Sequence, residues 1–181
     1  MIARQQELHR IERKIDNRLR QLRDARSSVF DMMSVTQARA CRIVWVQTLL
    51  QIHSFFDMEA PIRRLEQSQA EALVFLGKVG VGILPEHLSE GRFGQYDGIF
   101  LVLDEEDRFD GETVTLPETS CVTVRFRGSH REAPEQYARL MAYIREHGLE
   151  ICGFSREITM IDYGITNDTD KFVTEISIPV S

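Results

Sequence analysis

The order of predicted elements constrains the fold most strongly, because the chain runs through strand, helix, strand and strand twice. In the first half, residues 41–50 are rich in β-branched and aromatic side chains and predict a strand. Residues 57–77 carry apolar side chains at steps of three and four and predict a helix. The apolar segments 79–85 and 96–104 then predict two further strands.

The second half repeats this order. Residues 120–128 alternate strictly between apolar and polar side chains, which is typical of a strand. Residues 129–132 (SHRE) have the pattern of a capping box and predict the start of a helix. Residues 150–162 and 170–180 predict the last two strands. The doubled unit predicts an α+β fold, with an antiparallel sheet and two helices on one of its faces.

A long helix precedes this domain. Residues 3–26 contain neither glycine nor proline and are rich in charged side chains, and one narrow apolar stripe runs along them: Leu8, Ile11, Ile15, Leu19 and Leu22. So narrow a stripe on a charged helix is typical of a two-stranded coiled coil, although a helix packed on its own domain is the alternative. We therefore predict a dimerisation helix at residues 1–28 and an effector-binding domain at residues 36–181, together a homodimer.

Composition excludes several classes of function. The net charge of −6 argues against a domain that grips nucleic acid with its own surface. Three widely spaced cysteines indicate free thiols in a reducing cytoplasm, and five scattered histidines lack the spacing of metal ligands. No segment approaches the roughly 20 apolar residues that span a bilayer. We expect a cytoplasmic protein without metal, cofactor or membrane contact.

Two glutamates lie in predicted strands. Alternation in the last two strands suggests that Glu157 and Glu175 share the sheet face that the helices leave open, beside Thr123, Arg125 and Thr159. The plain alternative is a solvated glutamate, or one that is paired with Arg125. A sheltered carboxylate would instead favour a lipophilic cation as ligand.

Aromatic side chains would complete such a site, because their rings attract cations. Trp45, Tyr96 and Tyr163 are candidate walls, and each is equally compatible with ordinary core or rim positions. The predicted ligand-binding residues are therefore Glu157, Glu175, Trp45, Tyr96, Tyr163, Thr159 and Thr123.

The chain from about Cys41 to its end resembles the gyrase-inhibitor-like effector-binding domain. The resemblance is most specific at residues 127–130 (RGSH), 156–164 (REITMIDYG) and 174–180 (TEISIPV). That domain also forms the C-terminal part of MerR-type multidrug regulators, and the N-terminal helix is similar to their dimerisation helix. The resemblance implies that Glu157 contacts cationic drugs.

These observations together predict the sensor part of a MerR-type transcription activator, which reaches DNA only through an N-terminal module that this sequence lacks. One alternative is a small hydrolase of the same family, with Glu157 as general base. Many relatives have a tyrosine two residues after this glutamate, and Thr159 in its place makes hydrolysis harder. A second alternative is a module that sequesters a protein partner through the open face.

Overall fold

The structure, a computed structural model, describes residues 2–53, 57, 60, 63, 78–105, 107–162 and 165–181. The helix predicted at 57–77 falls almost entirely outside these residues. The described strands are β1 (Ser34–Ala38), β2 (Cys41–Leu50), β3 (Lys78–Gly82), β4 (Tyr96–Leu103), β5 (Val114–Leu116), β6 (Thr119–Arg127), β7 (Arg156–Ile161) and β8 (Val173–Val180). The described helices are α1 (Ile2–Arg26), α2 (Pro85–Ser89) and α3 (Ala133–Glu146), with a 3-10 turn at Thr169–Lys171. Within those ranges no helix combines the length and apolar character needed to cross a bilayer.

The eight strands form one antiparallel sheet in the order β1-β6-β8-β7-β3-β4-β2-β5. The sheet contains two sets of three strands, one from each half of the chain. Read from the edges of the sheet inward, they are β6–β8–β7 and β2–β4–β3, and they meet where β7 pairs with β3. This arrangement confirms the predicted α+β fold built from a duplicated unit. Strands β1 and β5 and the short helix α2 were not predicted, because they are too short to show a clear periodicity.

Side chains that face each other across antiparallel strands point to the same side of a sheet, so the pairing divides the residues into two faces. The α3 face carries a continuous row made of Val46, Ile99, Val81, Glu157, Ile176 and Val124. The opposite face, which we call the α1 face, carries Trp45, Phe100, Ile158, Glu175 and Arg125.

Helix α3 covers the first of these faces and closes the main core. Its buried residues Tyr137, Leu140 and Ile144 belong to the same apolar cluster as Ile176 and Ile178 of β8. This face is therefore dry, and any polar side chain that points into it has to find its partner inside the protein.

The end of helix α1 packs on the opposite face. Ala25 is fully buried, and with Leu22 it contacts Met160, Ile161 and Val173. The expectation that this face is open is therefore wrong, since α1 covers part of it.

Ion pairs also hold α1 on its own domain. Lys14 Nζ lies 2.8 Å from an oxygen of Asp107, and the two side chains are only 10% and 3% exposed. Arg18 lies 3.7 Å from Asp162, which follows β7. Taken with the Leu22 and Ala25 contacts, these pairs attach the second half of the helix, from Lys14 onward, to the domain.

The apolar stripe of α1 is packed against the domain at one end and exposed along the rest. Leu22 packs against the sheet, whereas the four residues before it remain exposed, by 60% at Leu8, 36% at Ile11, 45% at Ile15 and 43% at Leu19. The helix thus carries an apolar strip that its own domain leaves uncovered.

The change Asp107→Asn tests how strongly the helix is fixed. It leaves the buried ammonium of Lys14 without its main counter-ion, so the free energy of unfolding should fall by about 3 kcal/mol in urea denaturation. Asp110→Asn is the matched control, because Asp110 is an exposed aspartate in the same loop. A loss of less than about 0.5 kcal/mol for Asp107→Asn would show that the pair does not hold the helix.

Candidate ligand-binding site

Glu157 lies at the seam between the two halves of the sheet. It faces Val81 of β3 on one side and Ile176 of β8 on the other, and it is fully buried. The alternation of β7 explains this position, because Ile158 and Met160 point to the α1 face and leave Glu157 on the α3 face. The strand thus points the carboxylate of Glu157 toward the dry interior.

The two oxygens of this carboxylate have different surroundings. Oε1 accepts a hydrogen bond from the Tyr96 hydroxyl at 2.9 Å and another from His130 Nδ1 at 2.5 Å. Oε2 is buried and has no hydrogen-bond partner among the described residues. One half of the carboxylate is therefore satisfied and the other half is not.

The loop between β6 and α3 directs His130 inward. Gly128 has a φ of +133°, which side-chain-bearing residues rarely adopt, and a Cβ there would lie 2.9 Å from Glu132 Oε2. The Glu132 carboxylate accepts a hydrogen bond from Ser129 N at 2.8 Å, as in a capping box. The helix nevertheless begins at Ala133, and Ser129 does not cap it as predicted. The tight turn leaves His130 free to reach β7.

A second layer of hydroxyl groups supports the histidine. Thr159 Oγ1 lies 3.5 Å from His130 Nε2 and 3.1 Å from Thr174 Oγ1. Thr174 in turn donates a hydrogen bond of 2.7 Å to the carbonyl oxygen of Gly128. The chain of contacts ties the His130 loop to β7 and β8.

Tyr137 of α3 contributes a neighbouring hydrogen-bonded group. Its hydroxyl lies 2.9 Å from Ser155 Oγ, which accepts a hydrogen bond from the backbone of Ile83. Burial, and then the negative charge of Glu157, raise the pKa of both Tyr96 and Tyr137 far above the ordinary value for tyrosine. Both phenols therefore remain protonated near neutral pH.

The structure brings together three of the predicted ligand-binding residues. Glu157 bonds to Tyr96 directly, and Thr159 joins them through His130. Trp45 lies elsewhere, on the α1 face, where its ring packs over Gly98 and against Phe154. Tyr163 lies outside the described residues.

The prediction that Glu157 and Glu175 share a face is wrong. The pairing of β7 with β8 sets Glu157 opposite Ile176 and Glu175 opposite Ile158, so the two carboxylates point to opposite sides. Glu175 instead forms an ion pair with Arg125, with Nε and Oε2 2.6 Å apart.

Thr123 also lies on the α1 face. Together with Glu175 it lines a separate groove of about 400 Å³ beneath the end of α1. Arg125 crosses this groove and also binds Asp24, at 2.7 Å, and Ser28, at 2.9 Å.

Sequence reasoning missed His130 and Tyr137. His130 resembled an unremarkable residue beside a helix start, and Tyr137 resembled part of a helix's apolar stripe. Their contacts with the Glu157 region join residues far apart in the chain, and no local pattern encodes such contacts. A signal was available in the family resemblance, which is specific at residues 127–130 and therefore includes His130.

A buried carboxylate between two repeated halves, beside two phenols and a histidine, is typical of a candidate ligand-binding site. Residues 55–181 match the family model of the GyrI-like small molecule binding domain, and the chain belongs to that family. No curated protein matches the chain.

Solved structures show the same fold. The C-terminal domain of EcmrR has a TM-score of 0.63 at 16% identity, and the match covers 83% of this chain and 97% of that domain. EcmrR in its complex with DNA has a TM-score of 0.66 at 17% identity over 99% of this chain and 68% of EcmrR. A hydrolase from Listeria innocua has a TM-score of 0.52 at 13% identity, covering 86% of this chain and 94% of the hydrolase.

The raised pKa values of Tyr96 and Tyr137 predict a specific tyrosinate titration. In the folded protein these two of the four tyrosines should stay protonated through pH 11, whereas all four should ionise near pH 10 in denaturant. Because the folded-state pKa exceeds the unfolded one, the contribution to stability is complete below about pH 10 and declines as the pH rises further. Ultraviolet absorbance measures the ionisation.

The double variant Tyr96→Phe/Tyr137→Phe provides the control. It should leave the native titration below pH 11 unchanged and halve the titration in denaturant. Four tyrosines ionising near pH 10 in the folded wild type would contradict the buried arrangement.

Proposed function

We propose that this domain senses lipophilic cations and that Glu157 is their electrostatic anchor. The observation that supports this proposal most directly is the buried carboxylate with one unpaired oxygen. A buried charge of this kind costs several kcal/mol unless a counter-charge compensates it. The two donors to Oε1, Tyr96 and His130, offset part of that cost, and a bound cation would offset more of it.

The surrounding side chains suit an aromatic or apolar cation. Tyr96 and His130 stand edge to face with ring centres 5.9 Å apart, and Val81 and Ile176 flank the carboxylate. Rings of this kind stabilise cations through their π electrons, while the aliphatic groups exclude water. Among the described residues, the two groups that bond to Glu157 are Tyr96 and His130, and neither is a lysine or an arginine, so a cationic ligand would add a permanent positive charge.

We further propose that the chain acts within a transcription activator of the MerR type, in the cytoplasm. The likeness to EcmrR, both as an isolated domain and bound to DNA, supports this proposal through the shared fold. DNA contact would belong to an additional module, since this chain is acidic overall. Residues 1–28 would be the dimerisation helix.

Strand β7 provides a physical connection for the sensor. It carries Glu157 toward the α3 face, while its end contacts α1 through Ile161 and through the ion pair of Asp162 with Arg18. A ligand that shifts β7 would therefore change how α1 packs on the sheet. Such a ligand acts as an effector if it binds one arrangement more tightly than the other.

The hydrolase alternative is not favoured, although Tyr96 supplies an aromatic hydroxyl beside Glu157. The tyrosine that many relatives carry two residues after this glutamate is Thr159 here, and its hydroxyl contacts Thr174 Oγ1 at 3.1 Å. A general base needs a substrate water within hydrogen-bond distance. The likeness to the hydrolase from Listeria innocua concerns the fold alone.

Affinity for a fluorescent aromatic cation tests the anchor. Glu157→Gln should weaken the binding of 1-naphthylmethylammonium at pH 7 by at least about tenfold, because the ion loses a charged hydrogen-bond partner. Glu175→Gln is the matched control, since it removes the same charge from the opposite face. Equal affinity of wild type and Glu157→Gln would remove Glu157 from the site.

The exposed strip on α1 predicts a dimer. Ile15→Glu should shift the molar mass in solution from that of two chains toward that of one, because it places a charge in an apolar helix pair. Arg20→Gln, which changes the net charge equally on another side of the helix, should leave the mass unchanged. A wild-type protein that is monomeric at micromolar concentration would contradict this part of the proposal.

A further inference from the structure

We infer that the Glu157 site selects protonated amines that carry N–H groups over quaternary ammonium or phosphonium ions. This inference rests on the proposed cation-binding function and specifies its ligand class. It follows from the hydrogen bonds that the site makes and from the one that it lacks.

The unpaired oxygen sets the first requirement. Among the described groups around Glu157, the hydroxyls of Tyr96 and Thr174 donate to Glu157 Oε1 and to the carbonyl oxygen of Gly128, and the Tyr137 hydroxyl, which also interacts with Glu157, lies 2.9 Å from Ser155 Oγ. Oε2 of Glu157 is buried and has no hydrogen-bond partner among these groups. A carboxylate oxygen accepts hydrogen bonds only, so it needs a ligand that donates one.

Among the described residues, the cationic side chains near Glu157 do not supply this donor, since His130 bonds to Oε1 and not to Oε2. Arg156 is adjacent in the chain, but strand alternation places it opposite Ser177, on the other face from Glu157. A quaternary cation would neutralise the charge on Glu157 and still leave Oε2 without a donor. Leaving a buried acceptor unsatisfied has a substantial cost, which an N–H group would remove.

His130 sets the second requirement. Its side chain is 14% exposed, whereas that of Glu157 is fully buried, so the histidine is the member of the pair that solvent reaches. A ligand that enters on this side displaces the histidine and removes one of the two donors to Oε1. An ammonium ion replaces that N–H and supplies another to Oε2, whereas a trimethylammonium group replaces neither.

A methylation series on one aromatic frame tests the inference with the wild-type chain. The probes are 1-naphthylmethylammonium and its mono-, di- and trimethylated forms, titrated at pH 7 with fluorescence or calorimetry. We expect the primary ammonium to bind at least about tenfold more tightly than the trimethylammonium, with a loss when the last N–H is replaced. That ratio corresponds to about 1.4 kcal/mol, the scale of one satisfied acceptor.

The variant Glu157→Gln separates hydrogen bonding from steric effects. In this variant the four probes should differ by less than about twofold, because the acceptor charge is gone while the space is nearly the same. Persistence of the tenfold ratio in Glu157→Gln would assign it to probe size and overturn the inference.

The remaining outcomes are also decisive. Affinity that stays level or rises with methylation in the wild type would overturn the inference while leaving cation binding in place. Failure of all four probes to bind at millimolar concentration would instead overturn the proposed function itself.

Discussion

A carboxyl group held in a dry interior is the constraint on which the rest of this structure depends. Glu157 stands in a row of aliphatic residues across the centre of the sheet, where water does not reach it. Tyr96 and His130 come from two different segments to bond one of its oxygens. A group that destabilises the free protein in this way is retained for binding more readily than for folding.

The duplicated topology explains why the charge lies at this point. Within the described strands the two halves pair through β3 and β7, so the seam is where side chains from both repeats converge. Strand β7 takes part in both the candidate site and the helix contact. Its side chains on the α3 face include Glu157, and those on the α1 face pack against the N-terminal helix. A shift of β7 would therefore change contacts on both faces of the sheet.

Much of this fold was predictable from local pattern, and the site was predictable only in part. Residues 120–128 alternate so regularly that their strand was evident, and Glu157 was selected as a candidate ligand-binding residue. The prediction that Glu157 and Glu175 share a face failed because β7 and β8 each alternate between apolar and polar side chains. Only the register between the two strands decides which side chains of β7 lie on the same face as those of β8. His130 was dismissed because its contact with Glu157 depends on how β6, β7 and a tight turn meet in space.

A crystal structure of the chain with 1-naphthylmethylammonium tests the central claim most directly. Our account predicts the ligand nitrogen within about 3 Å of Glu157 Oε2, with the His130 ring moved from its contact with Oε1. It would be contradicted by a ligand seated in the groove beside Glu175 and Thr123 while Glu157, Tyr96 and His130 keep the bonds they have in the free protein.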